Sequence, residues 1–322
     1  MNHGKALIIA TKEFAKEDRT KSWYYTLSTL VILITCLAVT LQPVHLLVKL
    51  PFSILSGLVI VRIFVIYHDY MHDTILKKSK WADILFTLVG GYVLAPKRVW
   101  KRSHDYHHKH NSKLFKLFIG SYPVLTLEKF NRSKKREQIA YLFVRHPLTI
   151  LLGYFFTFMW GMCIYPLLTG FTKHIDSLFA LFFNFLLQLS VIYYLGWSTW
   201  VMFSLIPHLI SGALGAYLFY VQHNFPAVYF ATADGWTYEG SALESSSYLE
   251  TGKFMQWVTA NIGYHHIHHL NARIPFYLLP EVMENFKELQ HPKRIKLNIR
   301  DSIACLRLKV WDEDRQMLVG LS

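Results

Sequence analysis

Two apolar runs near the start of this 322-residue chain, residues 23–41 and 46–67, each reach about the 20 residues that a helix needs to cross a bilayer core. Three more follow at 147–169, 178–195 and 197–221, and strongly basic segments separate them. Long apolar runs alternating with basic stretches mark a polytopic membrane protein. Only 17% of the residues are charged, against about 25% in an ordinary soluble chain, while 52% are hydrophobic and 16% aromatic. The reading is an all-α integral membrane protein of one domain, with about four crossing helices, or six.

The formal net charge is +13. Lys and Arg gathered in loops on the cytoplasmic side account for it. The same charge suits docking of an acidic electron carrier or anionic headgroups. The basic runs lie beside apolar spans and no known reader motif appears, which argues against a nucleic-acid partner. Three widely separated cysteines, Cys36, Cys163 and Cys305, exclude a disulfide framework, a zinc ribbon and an iron–sulfur cluster. Residues 1–21 mix Lys with Glu and Asp and do not read as a cleaved signal peptide.

Histidine supplies the chemistry. One cluster is His68-Asp69-Tyr70-Met71-His72, a second is His104-Asp105-Tyr106-His107-His108, and a third is His265-His266-Ile267-His268-His269. Residues at i, i+3 and i+4 share a helix face. His68 and His72 are four apart; His104, His107 and His108 repeat the 0, 3, 4 spacing, and so do His265, His268 and His269. A lone histidine near a membrane is ordinarily solvated or hydrogen-bonded, and one His-x-x-x-His pair is weak evidence. Two identical triplets beside apolar runs point to metal ligation, and eight imidazoles exceed what one zinc ion takes. The His-Glu-x-x-His pattern of zinc proteases is absent, as is the carboxylate-rich pattern of soluble di-iron bundles.

The clusters also constrain topology. Basic residues precede the first run, so the N-terminus is expected in the cytoplasm, and two crossings return the chain there at His68. The shorter stretch 81–96 holds Gly90 and Gly91 between basic clusters; a crossing there would put the first and second clusters on opposite faces, so it reads as interfacial or re-entrant. Residues 109–145 read as a cytoplasmic loop, with a solvated charge run at Arg132, Lys134, Lys135 and Arg136. An even number of crossings must then follow: two full ones with one half-inserted segment. Pro207, Gly212 and Gly215 single out 197–221 as the run to be broken or tilted. The chain thus reads as a first hairpin at 23–67, boxes one and two at 68–146, a second membrane region at 147–221 and a cap at 222–322. In the cap, 281–290 suggests an amphipathic helix and 306–321 a small hairpin turning near Asp312-Glu313-Asp314.

These boxes, in this order and at this distance from the apolar runs, resemble the membrane fatty-acid desaturase superfamily, nearest to its bacterial acyl-lipid desaturases. Tyr67-His68-Asp69-Tyr70-Met71-His72-Asp73, Trp100-Lys101-Arg102-Ser103-His104 and Asn261-Ile262-Gly263-Tyr264-His265-His266-Ile267-His268-His269-Leu270, continuing into Arg273-Ile274-Pro275-Phe276-Tyr277, carry the resemblance over roughly 67–280. It implies two non-haem irons, O2 as co-substrate, and an acyl lipid or acyl thioester that receives a double bond. It implies an integral membrane enzyme, in a bacterial inner membrane, with boxes and both termini cytoplasmic. It also implies a further ligand between the second and third boxes, a place that His223 fits; His208, within an apolar run, competes and reads as a packed or lipid-interface residue. The ligand set becomes His68, His72, His104, His107, His108, His223, His265, His268 and His269. His110 and His266 fall off the ligand spacing and are read as supporting or solvent-facing. Asp69 and Asp105 could fix imidazole tautomers as outer partners, and Asn224 or Asn261 could hold a metal-bound water. With no haem domain, dinucleotide fingerprint or iron–sulfur set in the chain, electrons must come from a separate ferredoxin, flavodoxin or cytochrome b5 type carrier. Hydroxylation on the same scaffold is the near alternative. A metal transporter is the distant one, and would want ionisable residues within the spans.

Overall fold

The computed structural model describes residues 4–114, 120–232 and 235–321. The chain divides into two compact units: Glu17–Arg102 with Leu151–Ala216, and Met1–Lys16 with Ser103–Ile150 and Tyr217–Ser322. Four helices are long and apolar enough to span a membrane: Arg19–Leu41, Leu46–Met71, Tyr154–Lys173 and Ile175–Val221.

The first of these is inverted relative to a soluble helix. Apart from Leu33, its buried stripe is small or polar, at Ser22, Thr26, Thr29, Cys36 and Thr40. Its exposed face is apolar, at Tyr24, Leu27, Val31 and Ile34. Helices packed in lipid turn small residues toward each other and large apolar ones outward. Asp18 caps the N-terminus by accepting from the Lys21 N–H. Gln42 and Pro43 end the helix, and Leu46–Met71 returns. Lys80–Tyr92, 13 residues long with Ser79 as its N-cap, is too short for a span.

Ile175–Val221 covers 47 residues, about 70 Å if straight, more than twice the thickness of a bilayer core. It is not straight. Gly196 stands at φ 80°, ψ 169°, a region that only glycine occupies at ease. Beyond it Trp200 Nε1 donates to Gln188 Oε1 at 2.5 Å, twelve residues back; in a straight helix that interval is about 18 Å of rise. Asn184 Nδ2 and His208 Nε2 also meet the same carbonyl, that of Tyr92, at 2.9 and 3.2 Å. The chain therefore reverses at Gly196, with Tyr193, Tyr194 and Trp197 exposed at the bend like an interfacial aromatic belt.

This corrects the expected site of the break. Pro207, Gly212 and Gly215 lie in an unbroken helix, Ile206–Val221. The wider π-turns of Val201–Leu205 precede Pro207 and accommodate its missing N–H. Gly212 and Gly215 are packing glycines: a Cβ on Gly212 would stand 2.4 Å from the Tyr154 nitrogen, and one on Gly215 3.1 Å from the Phe158 ring. The run before it, Tyr154–Lys173, leads into His174 and Asp176, which contact the Arg102 side chain and the Arg98 N–H.

In the other unit, residues 109–145 are more than a loop, although 115–119 lie outside the described residues. Leu127–Arg132, capped by Thr126, and Lys135–Val144 place Phe130 and Tyr141 against Val310. The basic run between them is exposed, as expected. Val310–Asp312 and Met317–Val319 form the antiparallel hairpin. A second pair, Tyr248–Glu250 beside Arg294–Lys296, is parallel and had no sequence signal. The amphipathic helix at 281–290 breaks: Leu279–Asn285 ends where Asn285 Nδ2 takes the Glu281 carbonyl, and a 3-10 turn, Lys287–Leu289, follows.

Candidate metal centre

The second box lies on Lys97–His110 and the third on the six-residue helix His265–Leu270. Each i, i+4 pair closes on itself. His104 and His108 Nε2 are 3.1 Å apart, and so are His265 and His269 Nε2. The i+3 members do not stay with their own boxes. His107 turns to His269 at 3.2 Å and to His223 at 3.1 Å, while His268 turns to His108 at 3.1 Å. The two triplets thus face each other and exchange their middle members.

The result is a closed ring of four Nε2 atoms. His223 and His265 are 2.9 Å apart, and His107 and His269 complete the circuit. All four side chains are buried. A four-membered ring with such edges has its centre roughly 2.2 Å from each nitrogen if flat and roughly 1.9 Å if tetrahedral, which brackets the ~2.0–2.1 Å of an imidazole–metal bond. His104, His108 and His268 form the neighbouring group, with ligand atoms within 4.8 Å of one another. In the other unit, His68 and His72 approach to 3.3 Å at the end of Leu46–Met71. The donor set, imidazole throughout, suits iron, zinc, copper or nickel.

With that geometry established, known proteins can be compared. The model of the fatty acid desaturase family matches residues 43–299. The chain belongs to the fatty acid desaturase family. It is similar to a fatty acid desaturase of Bacillus subtilis (strain 168), 30% identical across 98% of this chain and 90% of that one. It is also similar to an sn-1 oleoyl-lipid 12-desaturase of Synechocystis sp., 24% identical over 86% of this chain and 79% of that one. A chloroplastic omega-6 fatty acid desaturase of Brassica napus is 24% identical over 86% and 62%. This desaturase is accordingly an oxidoreductase.

Two of the ring histidines, His223 and His269, are held neutral. His223 Nδ1 faces the Ser245 carbonyl at 2.9 Å, so it carries the proton and leaves the Nε2 lone pair on the ring. Burial pushes His223 down to about 4, partly opposed by that carbonyl. Burial, followed by the neighbouring imidazoles His108, His265, His223 and His107, holds His269 well below its ordinary value. Neutral imidazole is the form that ligates a metal. His68 Nδ1 lies 3.3 Å from the Asp69 carboxylate, which orders that ring in the same way.

The remaining candidates are placed as follows. Asp105 is half-buried on the second-box helix. Asn261 adopts φ 58° and gives its amide to the Phe276 carbonyl at 3.1 Å. His266 is buried, with Nε2 3.3 Å from the Leu289 carbonyl, and is not solvent-facing. His110 stacks on Tyr106, centroids 4.0 Å apart, and His208 is packed between the Ser204 and Tyr92 carbonyls.

Sequence reasoning missed Arg145. It is fully buried, and its guanidinium donates to the carbonyls of Pro123 and Leu308, to the Tyr220 hydroxyl and to Asn224 Oδ1 at 2.6 Å. Asn224, the neighbour of His223, also gives its amide to the Tyr220 carbonyl. Its carboxamide is thereby fixed on both sides. At the end of a basic stretch, Arg145 reads as one more loop cation, and no local pattern marks it as the clamp of His223's neighbour.

Proposed function

We propose that this chain is an O2-dependent membrane acyl desaturase with two irons. One is held by His107, His223, His265 and His269, the other by His104, His108 and His268, with His68 and His72 as further candidate ligands. What supports this reading is the closed ring of four buried Nε2 atoms in a chain of the desaturase family. Irons bound there would supply the O2 reduction and hydrogen abstraction that an unactivated acyl C–H requires. Overall, two adjacent methylenes lose one hydrogen each, and O2 with two electrons and two protons leaves as two waters.

The chain's own residues do the rest. Ser245 and Asp69 set the tautomers of His223 and His68, so that both offer lone pairs. Burial keeps His223 and His269 neutral and the ring free of bulk water. The aromatic-rich spans hold the acyl chain in position. A separate ferredoxin, flavodoxin or cytochrome b5 type protein delivers electrons at the basic face, which we place in the cytoplasm with both termini.

Expression in a host lacking polyunsaturated lipids, followed by fatty-acid profiling, tests the proposal. Products two hydrogens lighter are expected, and His268→Ala should abolish them. Products one oxygen heavier would mean hydroxylation. Activity in iron-free protein, or full activity in His268→Ala, would overturn the assignment. Loss of rate with rising salt in the presence of purified carrier checks the docking.

A further inference from the structure

The nine-residue helix Ile299–Arg307 carries apolar side chains outward. Ile299 is 81% exposed and Ile303 44%. With Leu306 they fall within about 60° of the helix circumference, and Arg307 and Arg300 lie together along one edge of that stripe, about 80–100° from Ile299. Both arginines are exposed, as is Lys296 just before the helix, and among the described residues none of the three pairs with a carboxylate. The one acid of the helix, Asp301, is turned back to accept from the Lys296 N–H at 2.7 Å. An apolar stripe edged by cations is the face of a helix that lies in a membrane surface.

The other side of this helix is fastened to a span. Cys305 is buried, and the Ser302 hydroxyl stands 2.6 Å from that of Tyr217. Tyr217 comes four residues, about 6 Å of rise, before the end of the membrane-length helix Ile175–Val221. At Tyr220 the hydroxyl donates to the Leu308 carbonyl at 2.9 Å, which also accepts from Arg145. The helix is thus tied at its middle and just past its C-terminus to the last turn of a span. That is the depth, about 5–10 Å, to which interfacial helices sink their apolar faces. A soluble partner meets the cap from the aqueous side, whereas this stripe stands level with the end of the span. The free cations beside it call for anionic headgroups.

We infer that Ile299–Arg307 is an interfacial helix that docks on the anionic leaflet of the bilayer. Ile299, Ile303 and Leu306 enter the acyl boundary, while Arg300 and Arg307 reach lipid phosphates. This placement is independent of the reaction proposed above.

The test reads depth in the full chain held in lipid nanodiscs. A nitroxide is attached at Ile299→Cys, at Ile303→Cys and, on the hairpin turn, at Asp314→Cys; the native cysteines are buried, and labelled wild type gives the background. Ile299 is exposed enough that its replacement removes little packing. In discs of phosphatidylglycerol with phosphatidylcholine, O2, which concentrates in hydrocarbon, should relax the labels at 299 and 303 more than a water-soluble nickel chelate does. The label at 314 should show the reverse. Arg300→Gln and Arg307→Gln should each lower the ratio of immersed to exposed label about fivefold, the worth of one cation near such a surface. In phosphatidylcholine alone these variants should match the parent, a split that misfolding does not produce. Nickel access at 299 and 303 equal to that at 314 overturns the placement. Shielding that appears only when two copies share a disc, or only when an acidic carrier protein is added, overturns it too and makes the face a protein interface. Immersion that ignores both the lipid charge and the arginines overturns the anionic docking.

Discussion

The exchange of His107 and His268 between the two imidazole groups makes a prediction that box membership does not. Grouped by sequence, His104 and His107 serve one metal. Grouped by structure, His107 belongs with His223, His265 and His269, and His104 belongs with His108 and His268. Removing a buried ligand from a four-nitrogen ring costs more than removing an outer partner, which alone lowers affinity about 10–100-fold. A chelator wash set between the intact and damaged affinities should then strip one iron of two from His107→Ala, from His223→Ala and from His104→Ala. The double variants decide. His107→Ala with His223→Ala damages one ring twice and should keep one iron per chain. His107→Ala with His104→Ala, both from the same box, should keep none. Iron per chain is read by elemental mass spectrometry on protein purified without oxygen. One iron retained in the same-box double variant, and none in the ring double variant, would refute the exchanged grouping.

Other outcomes follow from single residues. Gly196→Ala places a Cβ in open space, so its cost of about 1–3 kcal/mol is backbone strain alone; a variant that melts with wild type would contradict the reversal at Gly196. Arg145→Met leaves the Pro123 and Leu308 carbonyls and Asn224 Oδ1 without their donor, and should cost about 3 kcal/mol or more, seen as a lower Tm together with weaker iron retention. His223 and His266 are both held at about 4 by burial, against an unfolded value of 6.5. The fold therefore favours their neutral forms. That stability is complete above pH 6.5 and is lost as pH falls toward 4, at up to about 1.4 kcal/mol per pH unit per histidine. Urea unfolding of metal-free protein between pH 7 and 4.5 checks this, and a flat profile would count against it.

The spans were legible because lipid imposes a length and a composition on each. Residues 23–41 and 46–67 became Arg19–Leu41 and Leu46–Met71, with only the ends extended. Residues 81–96 largely coincide with the 13-residue helix Lys80–Tyr92, short of a span's length. The reversal was misplaced because proline and glycine carry two meanings in a membrane helix. Gly212 and Gly215 are small so that Tyr154 and Phe158 can approach, a packing requirement set by a distant segment. Gly196 falls at the boundary between the runs 178–195 and 197–221, and what makes that boundary a reversal is its backbone dihedral. The parallel pairing of Tyr248–Glu250 with Arg294–Lys296 is equally silent, since a three-residue strand has no periodicity to read.

At the site, spacing marked the box imidazoles that the structure gathers but not their grouping, and the reason is geometric. An i, i+4 pair meets on its own helix, so each 0, 4 pair could be read from one box. An i+3 imidazole is turned about 60° from the i residue and about 100° from the i+4 residue, both in the same sense, so it stands apart from the pair. Where it ends depends on what lies opposite. In this chain a second triplet lies opposite, and His107 and His268 each complete the other helix's group. The exchange ties the second and third boxes together through both groups. Displacing either helix would then disturb both sets of ligands, whereas two independent boxes could lose one and keep the other. Arg145 belongs to the same logic. It binds the carbonyl of Leu308 and the side chain of Asn224 at once, so the C-terminal segment and the residue beside His223 move as one piece. A truncation before Leu308 should therefore release iron from the ring that contains His223 before it disturbs the group of His104, His108 and His268. Partial chelation of the truncated chain, compared with His223→Ala and His104→Ala, measures that order.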